Sequence, residues 1–141
     1  MTVRTSAGLL AIAIAVSAGI HIGLTPEHLR EMPRLGQAFI VASVLGIAIA
    51  AALMSRPDDP RIAAIGGLFC LAEIITWALF VTLRVPFFPG TPEPVEAIAI
   101  VCKTVEASGV GFATLQVRSQ QTPEDRPSPG VGAHNIDQRS D

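Results

Sequence analysis

The stretch VEAIAIVCKTVEASGVGFATLQV, Val95 to Val117, decides how this chain is read. It is long and apolar enough to cross a bilayer, since about 20 apolar residues span a hydrocarbon core as a helix. Yet it carries Glu96, Lys103 and Glu106. Charges inside a membrane helix are costly, so they turn toward protein or water. Residues three, four and seven apart share a helix face; Glu96, Ala99, Lys103, Glu106 and Val110 therefore fall on one side. At about 1.5 Å per residue, Lys103 stands roughly 12 Å and Glu106 roughly 16 Å from Val95. A matching charge, Glu73, sits midway along another apolar run, Ile62 to Leu83.

Working outward, the 141 residues are 50% hydrophobic and 16% charged, with mean hydropathy +0.49. The apolar residues gather into four blocks, which is a membrane composition and not that of a soluble domain. A net charge of −2 gives no basic field, so nucleic-acid binding has no support. The two cysteines, Cys70 and Cys102, lie inside apolar runs without metal-type spacing and read as small core residues. Arg4, the run Leu9 to Val16 and Val16-Ser17-Ala18 imitate a secretory signal. The run continues to Leu24, however, longer than a signal core, and is read as a retained span.

The first span is expected over Thr5 to Leu24 and the second over Gly36 to Met54. Ala7, Ala11, Ala15, Gly19 and Gly23 recur every four residues, as do Ala38, Ala42, Gly46 and Ala50. Small residues let helix backbones approach closely in lipid, where hydrophobic burial supplies no driving force. The two ridges therefore predict a tight antiparallel hairpin. Between them, Thr25 as cap, Pro26 at the first position and Glu27 in the first turn predict a short separate helix at the interface, stopped by Pro33. Its Leu29 and Met32 would dip toward lipid.

Ser55-Arg56-Pro57-Asp58-Asp59-Pro60-Arg61 reads as a polar turn with an Asp capping the third span. That span should turn Gly66, Phe69, Cys70, Glu73, Thr76, Trp77 and Phe80 inward. Arg84 to Pro94, with four prolines and Phe87-Phe88, predicts a stiff interfacial loop. Residues 1–117 thus form a membrane domain, and 118–141, rich in Pro, Ser, Gly, Gln and charge, a disordered polar tail.

Glu73, Lys103, Glu106 and Glu96 form the candidate polar cluster. Lys103 and Glu106 can pair within one helix turn, and a Glu–Lys–Glu group leaves one carboxylate uncompensated. His21 and His28 are the second candidates, as ligands of a transition metal or, singly, of haem; Pro26 between them argues against a shared face. No cofactor is otherwise predicted. No phosphate-binding loop, nucleophile elbow or zinc-protease motif is present, which points away from an enzyme.

His21-Ile22-Gly23-Leu24-Thr25-Pro26-Glu27-His28-Leu29, continuing through Pro33-Arg34-Leu35-Gly36, together with Glu93-Pro94-Val95-Glu96, resembles small uncharacterised bacterial four-helix integral membrane proteins. The resemblance implies the four-span architecture and assigns no catalytic residues. The expectation is an all-α, four-helix transmembrane bundle with short loops. It would lie in the bacterial cytoplasmic membrane, with both termini cytoplasmic from the bias of Arg4, Arg56, Arg61, Arg118 and Arg126 over Arg30, Arg34 and Arg84. Its expected partners are the lipid bilayer and other membrane subunits, as an accessory or assembly component. The alternatives are a small transporter or proton/ion conduit on Glu73, Lys103 and Glu106, or a haem- or metal-binding redox protein.

Overall fold

The computed structural model of the protein describes residues 2–82 and 96–121. Among them are four helices and no strand: α1 Val3–Glu31, α2 Pro33–Ser55, α3 Pro60–Thr82 and α4 Ala97–Gln121. Each is long and apolar enough to cross a membrane, so the protein is an all-α, multi-pass membrane bundle. The expected loop around Phe87-Phe88 and the tail from 122 onward lie outside the described residues.

Local chemistry sets most helix ends. The Thr2 side chain accepts the Thr5 N–H at 3.2 Å and caps α1. Prolines open α2 and α3, where a missing N–H costs nothing. Asp59 caps α3 by accepting the Arg61 N–H at 2.9 Å. At the far end α4 runs past the expected boundary at 117 to Gln121. Its last turns are held by Gln116 and Gln120, which donate to the carbonyls of Pro57 (2.8 Å) and Asp58 (3.1 Å) in the α2–α3 turn.

The expected separate helix at Thr25–Met32 is not formed; α1 runs unbroken through Pro26. Thr25 does not cap a new helix. Its Oγ1 donates back to the His21 carbonyl at 2.8 Å, the i−4 bond that hydroxyl side chains make inside helices. Proline is tolerated in membrane helices where hydroxyls support neighbouring carbonyls. The real stop is Met32, whose N–H bonds the His28 carbonyl at 2.8 Å. A Cβ on Gly36 would lie 2.6 Å from the Leu29 backbone nitrogen, so only glycine permits so tight a return.

α1 packs on both α2 and α4, and α3 on α4, whereas α2 and α3 meet along a thin seam. Ser43 stitches α2 to α1 by donating to the Ala18 carbonyl at 3.1 Å. Of the second ridge, Ala42, Gly46 and Ala50 are buried. A Cβ on Gly46 would meet Ala18 at 3.3 Å and both Ile14 and Phe69 at 3.4 Å.

The first ridge is corrected. Ala7 and Ala11 are buried, but Ala15, Gly19 and Gly23 are exposed, with open space where Cβ atoms on the two glycines would stand. A row of every fourth residue advances about 40° around the helix per step, so five members sweep about 160°. The face that packs is Leu10, Ile14, Ser17, Ala18 and His21.

The apolar core holds Leu10, Ile14, Leu53, Ala63, Cys70 and Ala113. There α3 and α4 nearly touch: a Cβ on Gly67 would lie 2.6 Å from the Ala113 Cβ, and one on Gly109 2.8 Å from the Cys70 sulfur.

Candidate intramembrane polar site

Beside the apolar core, a cavity of about 190 Å³ lies between the C-terminal halves of α1 and α3 and the N-terminal halves of α2 and α4. Leu24, Phe39, Trp77, Phe80 and Ile98 contribute apolar wall, while His21, Glu73, Cys102 and Lys103 supply polar groups deep in it. Glu96 and His28 also line it.

Glu106 lies below this floor and is fully buried. Its Oε1 accepts the Ser17 hydroxyl at 2.7 Å and the Cys102 thiol at 3.3 Å. Its Oε2 accepts the Lys103 ammonium at 2.6 Å. Two i,i+4 pairs build this arrangement, Ser17/His21 on α1 and Cys102/Glu106 on α4, since such spacing stacks side chains on one face. A charged carboxylate survives burial only when paired and hydrogen-bonded, and here each oxygen has at least one donor.

The structure brings Lys103 and Glu106 together but divides Glu73. Lys103 Nζ reaches the backbone carbonyl of Glu73 at 3.4 Å, whereas the Glu73 carboxylate turns to His21, Oε2 lying 3.8 Å from Nε2. Glu96 is exposed just before α4 and shares the cavity wall with these groups.

Because α1 is continuous, His21 and His28 stand seven residues apart on one helix, and both rings contact Phe39, at centroid distances of 4.9 and 4.8 Å. The supposed break at Pro26 therefore does not separate their faces. His28 Nδ1 bonds the Leu24 carbonyl at 2.9 Å. His21 is only 5% exposed, and its Nδ1 has no hydrogen-bond partner.

Ser17 and Cys102 are the residues that sequence reasoning passed over. The available signal was the pairing of each, four residues on, with an ionisable side chain in an apolar run. Both cysteines are free thiols.

Compared with models of known protein families, with curated proteins and with solved structures, the chain matches none of them.

Proposed function

We propose that the protein is a non-catalytic accessory component of the bacterial cytoplasmic membrane that holds a small amphipathic molecule between its helices. The observation that carries this is the cavity of about 190 Å³ with apolar walls and a charged floor. An apolar cavity of roughly 150 Å³ already takes up a benzene-sized guest, and binding sites combine apolar lining with a few placed polar groups. The floor offers a cation, a carboxylate and an imidazole to the polar end of such a guest. Other membrane subunits remain its expected partners, with both termini on the cytoplasmic side.

The conduit alternative is less well supported by the geometry. Beneath Glu106 come Leu10, Ile14, Cys70 and Ala113 in close contact, so among the described residues no polar file continues from Glu106 through the core.

The test is native mass spectrometry of the full chain extracted in mild detergent. The parent should carry a bound small molecule, and Ala99→Phe, which fills the cavity from α4, should lose it while keeping its helical circular dichroism. A bare parent mass, with Ala99→Phe melting higher, would make the cavity a packing defect and end the reading.

A further inference from the structure

The groups around Glu106 are more than an ion pair needs. A ring nitrogen of His21, the Cys102 sulfur and a Glu106 carboxylate oxygen all lie within 4.8 Å of one another, and all three residues are buried. They come from two helices that pack directly. Nitrogen, sulfur and oxygen donors in one buried cluster form a set suited to borderline transition metals.

We propose that this point is a binding site for a divalent metal ion of the zinc class, held by His21, Cys102 and Glu106. Ser17 or a water from the cavity would complete a tetrahedron. Metal–ligand bonds of about 2.0–2.3 Å place neighbouring ligand atoms roughly 3.3–3.6 Å apart. Cys102 Sγ and Glu106 Oε1 are already 3.3 Å apart, and the imidazole nitrogen, within 4.8 Å of both, would have to close in by up to about 1.5 Å.

Two further features fit. First, His21 presents a buried Nδ1 without a partner, while its Nε2 approaches the Glu73 carboxylate at 3.8 Å. A metal-ligating histidine characteristically gives its other ring N–H to a carboxylate. Second, Lys103 holds Oε2 of Glu106, which leaves Oε1 as the ligand atom and fixes its direction. Binding exchanges the S–H proton for a sulfur–metal bond, and that proton leaves to water by the cavity. No electron transfer is involved.

The site shares His21 and Cys102 with the floor of the wider cavity, but its readout is separate from that of the guest. The test uses the chelator-stripped full chain in detergent, titrated with Co²⁺ as a spectroscopic substitute for Zn²⁺. One equivalent should give thiolate-to-cobalt charge transfer in the near ultraviolet with the visible bands of a tetrahedral site, bleached by one equivalent of Zn²⁺. Cys102→Ser, which keeps a small hydrogen-bonding group, should lose the charge-transfer band. Glu73→Gln should retain the band and weaken binding by about 10–100-fold. His28→Ala should change neither. Absence of the charge-transfer band in the parent, or its persistence in Cys102→Ser, overturns the assignment. Neither result touches the guest detected by Ala99→Phe, so the two readings fail separately.

Discussion

Lys103 is the residue on which the buried charge of Glu106 most depends. Its side chain is 13% exposed against 0% for Glu106, so the pair is shielded from water and little screened. Removing one member of a buried ion pair costs about 3–5 kcal/mol, whereas replacing both by neutral groups is often close to neutral. Lys103→Met should therefore lower the unfolding free energy in detergent by about 3–5 kcal/mol, and Lys103→Met with Glu106→Gln should regain most of that loss. A Lys103→Met protein as stable as the parent would contradict the pairing. The charges themselves are visible in the sequence because each interrupts an apolar run. Ser17 and Cys102 show only through their ionisable partners four residues on, since a small neutral side chain in a membrane span is by itself ordinary. Which way Glu73 turns was illegible for another reason. Its choice of His21 over Lys103 depends on how α3 is rotated against α1, and spacing along one helix carries no information about that.

At the scale of the element, the four spans were legible because length and composition alone fix them, and the Pro-opened starts of α2 and α3 follow from the same residues. The α1 contact face was not, because a four-residue repeat winds around a helix that turns every 3.6. This yields a paired prediction. Gly46→Leu inserts a side chain against Ala18, Ile14 and Phe69, and overpacking of this kind costs about 1–3 kcal/mol. Gly19→Leu, placed where nothing lies within 4 Å, should be neutral within experimental scatter. Equal melting temperatures for the two variants would remove the packing argument. The continuity of α1 through Pro26 was likewise hidden, because Thr25-Pro26-Glu27 has the residues of a helix start, while in the structure Thr25 turns back to the His21 carbonyl.

For the whole molecule, the antiparallel run of helices puts Arg4, Arg56, Arg61 and Arg118 at one end and Arg30 and Arg34 at the other. Arg and Lys in short flanks set orientation during insertion. Asp58→Cys should therefore react with a membrane-impermeant maleimide only after the cell is opened, and Glu31→Cys in intact cells. The reverse pattern would invert the topology. The exposed Arg4–Asp58 pair at 3.7 Å contributes little to holding that end together, as exposed pairs generally do. The α4 glutamines bonded to the α2–α3 turn carry more of that task, because Gln116 is fully buried.

The unbroken α1 has 29 residues, about 43 Å at 1.5 Å per residue, against a hydrocarbon layer of about 30 Å. With the helix centred in the bilayer, the stretch after Leu24, with His28 and Arg30, would reach the lipid headgroups, and so would the end of the cavity lined by His28 and Glu96. A guest dissolved in the leaflet would then reach that level by diffusion in two dimensions, without crossing bulk water. Its supply is then governed by its partition coefficient and not by its aqueous abundance. For such a guest the cavity can remain filled with modest contact energy, and a dissociation constant referred to the water phase would overstate how tightly these few side chains hold it.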